Sequence, residues 1–128
     1  MKKFFNFSIL LTALTFASCG KENIAAPVNN TPYNINVEYR ISDVSGHVNI
    51  QYNQPDANGQ IVTQSMSVDR TNYSTAFTWK SGQELSVIAS NSIPSAKEIK
   101  VEIYVNGSLF KTGLANSPNA IATASGRF

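Results

Sequence analysis

From Tyr33 onward, apolar and polar residues alternate along most of the chain. The first run places apolar side chains at every second position, at Ile35, Val37, Tyr39 and Ile41. The same two-residue period returns over residues 48–52, 85–89 and 99–105, while the 3.6-residue period of an amphipathic helix is missing. A strand with one buried and one wet face gives this pattern. The alternation therefore predicts an all-β domain.

Turn-forming residues divide the alternation into short segments. Clusters of Gly, Asn, Asp, Ser and Pro separate the apolar runs. The predicted strands cover residues 33–42, 47–54, 60–68, 73–80, 84–91, 97–105, 108–113 and 119–124. Seven or eight short strands in about 95 residues are typical of an immunoglobulin-like antiparallel β-sandwich. We expect this domain to span residues 33–128.

The sharpest local prediction is a hairpin at Asn106-Gly107. Asn-Gly favours a two-residue type I′ turn, because both central residues need a positive φ. This turn fixes a register that pairs Tyr104 with Leu109, Ile103 with Phe110, and Glu102 with Lys111. Tyr104 and Leu109 then lie on the outward face. Either another strand or loop covers them, or they are scattered apolar surface residues, or they form part of a docking patch.

The first eighteen residues predict a secretory signal. Lys2 and Lys3 precede a mostly apolar run over residues 4–16, which is shorter than the roughly 20 residues that a membrane-spanning helix needs. The end of the run, Ala17-Ser18-Cys19, resembles a bacterial lipoprotein signal. The resemblance implies that residues 1–18 are removed and that Cys19, the only cysteine in the chain, is lipidated. An ordinary signal or an uncleaved anchor is the alternative.

The segment after Cys19 indicates how the domain is held. Residues 19–32 mix Asn, Ala and Pro without a period, so we interpret them as a lipidated cysteine and a flexible tether. No aspartate follows Cys19, and Gly20-Lys21-Glu22 resembles the surface-export signal of Bacteroidetes lipoproteins. We expect an outer-membrane location, attached through lipid on Cys19 and facing the periplasm or the cell surface.

The charge of the chain excludes one class of partner. Of 10 basic and 8 acidic residues, Lys2 and Lys3 belong to the predicted signal, so residues 19–128 carry 10 − 2 = 8 basic and 8 acidic side chains. A neutral domain is a poor binder of nucleic acid, because neutralisation of phosphate drives that affinity.

Residue patterns for catalysis and metal binding are missing from the sequence. His47 is the single histidine, and no cysteine follows Cys19, so a zinc site with three or four N or S ligands is not predicted. No nucleophile motif surrounds a serine, and the carboxylates fall on predicted wet faces or loops. We expect neither a cofactor nor an enzymatic activity.

Two aromatic residues of the predicted fourth strand raise a different possibility. Tyr73 and Trp79 have the same parity as Phe77, so all three point to one face. Exposed aromatic rings can stack on sugars, which makes a carbohydrate- or small-ligand-binding module the alternative function. The other interpretation is that Phe77 and Trp79 fill the core.

Three segments resemble MmpS-like domains, the accessory partners of mycobacterial MmpL transporters. They are VEYRISDVSGHVNIQYNQPDANG, SGQELSVIASNS and IKVEIYVNGSLFKTGLANSPNAIATASGRF, and together they lie within residues 35–128. The resemblance implies a sandwich fold and an accessory role at an envelope transport complex, and it assigns no site residue. The leading hypothesis is a non-catalytic lipoprotein module that binds an envelope protein, with a glycan as the alternative partner.

Overall fold

The structure, a computed structural model, describes residues 31–43, 47–69, 72–91, 98–117 and 119–128. Within these ranges the chain forms eight strands and no helix. They are β1 Asn34–Asp43, β2 Val48–Pro55, β3 Ile61–Val68, β4 Asn72–Lys80, β5 Glu84–Asn91, β6 Ile99–Val105, β7 Ser108–Ala115 and β8 Ile121–Arg127. The predicted signal, Cys19, the tether up to residue 30, and the turn and loop at 44–46 and 92–97 lie outside the described residues.

The strands form two antiparallel sheets of four. The first sheet has the order β4-β1-β6-β7, and the second has the order β3-β2-β5-β8. This confirms the predicted antiparallel β-sandwich. Like an immunoglobulin domain, the fold consists of two facing sheets. Its strand order differs from that of immunoglobulin constant domains, whose two sheets have the orders ABED and CFG. Residues 31–128 form one compact unit.

The core lies between the two sheets and follows the alternation of the sequence. In β1, every second residue is buried, whereas the polar residues between them face outward. β2, β5 and β6 repeat the pattern, so that their inward side chains meet across the sandwich. The largest fully buried side chains are Tyr39, Ile35, Ile50, Leu85, Ile103, Val37, Val48, Val87 and Val101.

The backbones of β7 and β8 approach each other closely at Gly113. A Cβ atom at Gly113 would fall inside the van der Waals radius of the Thr123 carbonyl oxygen. Ala115, Ala122 and Ala124 are buried on the same side of the core. Only glycine and alanine side chains fit between the backbones here, so the outer strands of the two sheets close this side of the sandwich.

The predicted hairpin is confirmed in its turn and corrected in its register. Asn106 and Gly107 have φ values of 49° and 82°, as a type I′ turn requires. Tyr104 pairs with Leu109 as predicted. A β-bulge then shifts the strands by one residue, so the predicted pairs Ile103–Phe110 and Glu102–Lys111 are wrong: Ile103 faces Lys111 and Glu102 faces Thr112.

The close packing of β7 against β8 explains the bulge. With the extra residue in β7, Val101 pairs with Gly113. Without it, Thr112 would occupy this inward position, where the Thr123 backbone leaves no room for a Cβ atom. The shift therefore serves the packing of β7 against β8, which a local hairpin rule cannot anticipate.

Candidate functional site

The outward face of the first sheet carries an apolar patch. Tyr104 of β6 and Leu109 of β7 are directly cross-strand, and Leu114 follows on the same face opposite Lys100. Leu109 and Leu114 are 53% and 54% exposed. We call Tyr104, Leu109, Leu114 and Arg40 the outer patch. The structure thus brings together two of the four residues that the sequence indicated for binding.

Arg40 completes the outer patch from the neighbouring strand β1. Its guanidinium carbon lies 4.1 Å from the centroid of the Tyr104 ring, within the range of a cation–π contact. Two parallel hydrogen bonds of 2.8 Å from Arg40 to the Glu38 carboxylate hold the guanidinium in place. These bonds lower the pKa of Glu38 and raise that of Arg40.

A charged pair lies within the outer patch, because Glu102 is between Lys100 and Tyr104 on the outward face of β6. Lys100 forms an ion pair with Glu102, which is two residues along β6, and this hydrogen bond raises the pKa of Lys100. Between β1 and β4 the same face has an open depression of about 370 Å³, to which Glu38, Arg40 and Glu102 contribute. Exposed apolar side chains and paired charges therefore alternate on the outward face of the first sheet.

The other two candidate binding residues point inward. Trp79 is 2% exposed and belongs to the core, with the Phe77 ring 5.6 Å away. Among the described residues its indole nitrogen has no hydrogen-bond partner. Tyr73 is half-buried, and its hydroxyl lies 3.2 Å from that of Tyr52. The structure favours the interpretation that Phe77 and Trp79 fill the core. Because the Trp79 ring is buried, it cannot stack on a sugar.

A buried tyrosine ties the two sheets together beside these rings. The Tyr39 hydroxyl donates to Asn53 Oδ1 at 2.8 Å, and the same oxygen accepts the Ser86 amide at 2.8 Å. The Asn53 amide nitrogen donates to the Glu84 carbonyl at 2.8 Å, so this side chain continues the ladder between β2 and β5. Burial raises the pKa of Tyr39 well above its ordinary value, although a 3.3 Å hydrogen bond that the Tyr39 hydroxyl accepts from the Ser86 amide opposes the shift.

Tyr52 neighbours Tyr39 in the same cluster. Their ring centroids are 5.7 Å apart in an edge-to-face arrangement. Burial, followed by the hydrogen bond to Tyr73, raises the pKa of Tyr52 to about 12. Both hydroxyls therefore stay protonated under physiological conditions, and their role is structural.

The single histidine of the chain directly precedes β2. His47 is half-exposed, and its Nδ1 contacts the carboxylate of Asp69. In the part of the chain that the structure describes, no group of three or more His, Cys, Asp or Glu side chains is placed to hold a metal ion. The same residues include no helix that is long and apolar enough to cross a membrane.

Sequence reasoning missed Arg40 and Leu114 in the outer patch. Arg40 reaches Tyr104 only because β1 pairs with β6, and Leu114 faces outward only because of the bulge. Cys19, the predicted lipidation site, lies outside the described residues. No family model matches the chain, and no curated protein matches it.

Proposed function

We propose that the protein is a non-catalytic outer-membrane lipoprotein whose β-sandwich binds a protein partner in the cell envelope. The observation that carries the proposal is the outer patch, in which Leu109 and Leu114 are each more than half exposed beside an ordered Arg40–Tyr104 contact. Exposed apolar side chains grouped on one face of a domain mark interaction sites. Arg and Tyr are enriched in such interfaces.

Lipid on Cys19 is the proposed means of attachment. The support is the sequence of residues 1–19, with two lysines, a short apolar run and small residues before the only cysteine. Two or three acyl chains would hold the protein on a membrane stably, since each buried methylene contributes about 0.8 kcal/mol.

Replacement of the cysteine tests the anchor. We expect wild-type protein to incorporate an alkyne analogue of palmitate and to sediment with membranes, and Cys19→Ser to do neither. Ser18→Ala, which leaves the thiol in place, is the matched control. Membrane sedimentation of Cys19→Ser equal to that of the wild type would contradict lipid anchoring through this residue.

Site-specific crosslinking tests the partner. A photoreactive amino acid at Leu109 is expected to give a discrete crosslinked protein in intact cells, and the same group at Asn58, an exposed turn residue far along the sequence from the patch, is not. Arg40→Ala should reduce the Leu109 crosslink, because it removes the cation above Tyr104. Equal crosslinking from both positions would argue against a specific site.

The resemblance to MmpS-like domains supports a transport-associated partner. It concerns the segments that contribute β1, β2 and β5 to β8, and it is compatible with the two-sheet fold. The alternative of glycan binding through exposed aromatics has less support, because Trp79 is buried and the Tyr73 hydroxyl is hydrogen-bonded inside the sandwich.

A further inference from the structure

The outward face of the second sheet differs chemically from that of the first. Its central cross-strand rows are formed by amide, hydroxyl and aliphatic side chains. The two rows are Ser67–Asn49–Ser90–Ile121 and Ser65–Gln51–Ile88–Thr123, read from β3 across β2 and β5 to β8. None of these side chains carries a charge. The first sheet, by contrast, has Glu38, Arg40, Lys100 and Glu102 on its outward face.

Two open depressions lie along these two uncharged rows, and the charged Glu84–Arg127 pair of the same face lies farther along β5 and β8. The larger has a volume of about 510 Å³ and is lined by the polar Asn49, Gln51, Ser65 and Ser90 and by the apolar Ile50, Met66, Ile88 and Ile121. The smaller, of about 200 Å³, shares Gln51 and Ile88 with the first and continues towards Thr63 and Ser86. The larger is within the roughly 300–1,000 Å³ of small-molecule sites. The shared residues make the two depressions one elongated groove.

The side chains of the groove define the chemistry of its ligand. Amides and hydroxyls both donate and accept hydrogen bonds, which matches a ligand that presents many hydroxyl groups. Among the described residues that line the groove, no cation is available to hold a phosphate, sulfate or carboxylate. Ile88, half-buried at the junction of the two depressions, offers an aliphatic surface for C–H groups.

Gln51 is held in position at the centre of the groove. Its amide nitrogen donates to Ser65 Oγ at 3.1 Å, across the β2–β3 pair. Because this bond restricts the side chain before a ligand arrives, less conformational entropy is lost on binding.

We propose that this groove binds a neutral oligosaccharide through Asn49, Gln51 and Ser90, with Ile88 against the apolar side of a sugar ring. The site lies on the opposite face of the sandwich from the outer patch. It uses none of the aromatic residues that the sequence suggested for sugar binding, and it does not depend on the proposed protein partner.

A panel of soluble oligosaccharides tests the proposal. The probes are neutral gluco-, manno-, galacto- and xylo-oligosaccharides of two to six units, with oligogalacturonides as the charged counterpart. We expect calorimetric binding of at least one neutral series by the full chain and no binding of the charged one. Gln51→Ala should weaken that binding at least about tenfold, which corresponds to about 1.4 kcal/mol, whereas Thr78→Ala, at an exposed position of β4 in the first sheet, should leave it unchanged.

Chemical shifts provide a second readout that needs no variant. Addition of the bound oligosaccharide to wild-type protein should shift amide resonances of β2, β3 and β5 and leave β6 and β7 unaffected. The proposal is overturned if no neutral series binds, if the oligogalacturonides bind more tightly, or if the shifts map to the first sheet. It is also overturned if a photoreactive group at Ser90 crosslinks a protein in cells, since the face would then be a protein interface.

Discussion

The two lateral sides of the sandwich are packed with side chains of very different size. On one side, β4 and β1 face β2 across a chain of rings, which consists of Trp79, Phe77, Tyr39, Tyr52 and Tyr73. On the other side, β7 and β8 meet through residues with almost no side chain, which are Gly113, Ala115, Ala122, Ala124 and Gly126. We call these the aromatic side and the small-residue side.

The comparison shows that side-chain size sets how closely the sheets approach. Facing sheets are typically about 10 Å apart, a distance that ordinary core side chains fill. Rings in edge-to-face contact, such as Tyr39 and Phe77 with centroids 5.2 Å apart, hold the sheets separate on the aromatic side. At Gly113 the backbone of β8 itself is the neighbour. The small-residue side should therefore be the less tolerant of added atoms.

The largest effect is expected at Gly113. Gly113→Val would place side-chain atoms where the Thr123 carbonyl lies, so β7 and β8 would have to separate. Overpacking of a core costs about 1–3 kcal/mol and sometimes more, and here the obstacle is backbone, so we expect a loss of at least about 3 kcal/mol. Urea unfolding followed by fluorescence of Trp79, the only tryptophan, measures it.

Thr112→Val is the matched control for this substitution. Thr112 adjoins Gly113 on the exposed face of β7, and its change should stay within about 0.5 kcal/mol. Equal stability of the two variants would mean that β8 does not lie against Gly113.

The second effect concerns pH and belongs to the aromatic side. In the unfolded chain, tyrosines lose a proton near pH 10, whereas the folded state raises the pKa of Tyr52 to about 12 and that of Tyr39 further. Above pH 10 the unfolded state binds fewer protons at these tyrosines than the folded state does. The contribution of the two hydroxyls to the free energy of unfolding is therefore fully present below pH 10 and is lost as the pH rises towards 12. The slope is about 1.4 kcal/mol per pH unit for each tyrosine.

Urea unfolding at pH 9, 10 and 11 measures this slope. Tyr39→Phe removes one of the two buried hydroxyls, so its slope should be about half that of the wild type. A wild-type stability that does not change between pH 10 and pH 11 would contradict the burial of both hydroxyls.

An intermediate effect is expected when Tyr39→Phe is measured at neutral pH. The variant removes the 2.8 Å bond to Asn53 Oδ1 and the 3.3 Å bond that the hydroxyl accepts from the Ser86 amide, and it keeps the ring contacts. Because Asn53 Oδ1 still accepts the Ser86 amide, we expect a loss of about 1 kcal/mol, the usual contribution of one hydrogen bond. Tyr52→Phe, whose hydroxyl bond to Tyr73 is longer at 3.2 Å, should cost less. The reverse order would show that Tyr39 does not connect the sheets.

Most of the aromatic side could be predicted from the sequence. Alternation placed Tyr39 with Ile35 and Val37 on one face of β1, and parity placed Phe77 and Trp79 together on β4, because side-chain direction in a strand follows from sequence position alone. All eight strands lie close to their predicted ranges for the same reason. What parity left open was whether the Trp79 face is wet or buried, since burial depends on the facing sheet.

The small-residue side could not be predicted, because its features come from contacts between distant strands. Gly113 in β7 reads as a weak strand position until Thr123 of β8 is placed against it. The bulge in β7 follows from that contact and cancels two of the predicted pairs. The outer patch has the same origin, since Arg40 reaches Tyr104 only after β1 and β6 are paired.

The smallest effect is expected at Gly126. Comparison with Gly113 tests whether the cost of replacing a glycine depends on what lies next to it. A Cβ atom at Gly126 would lie 2.8 Å from Cε of the exposed Lys111 and 3.2 Å from the ring of the half-buried Phe110. The exposed lysine can move away at little cost. Replacing glycine by alanine also lowers the entropy of the unfolded chain, which stabilises by about 0.4–1 kcal/mol and offsets the contact.

We therefore expect Gly126→Ala to change the free energy of unfolding by less than about 0.5 kcal/mol, and Gly113→Ala to cost considerably more. The substitution is identical, both glycines lie in outer strands of the small-residue side, and only the obstacle differs: backbone at Gly113, a movable side chain at Gly126. Parallel urea unfolding of the two alanine variants makes the comparison. An equal loss of stability in the two variants would contradict the prediction. It would mean that general crowding between β7 and β8 determines the cost of an added methyl group, and that the Thr123 backbone does not.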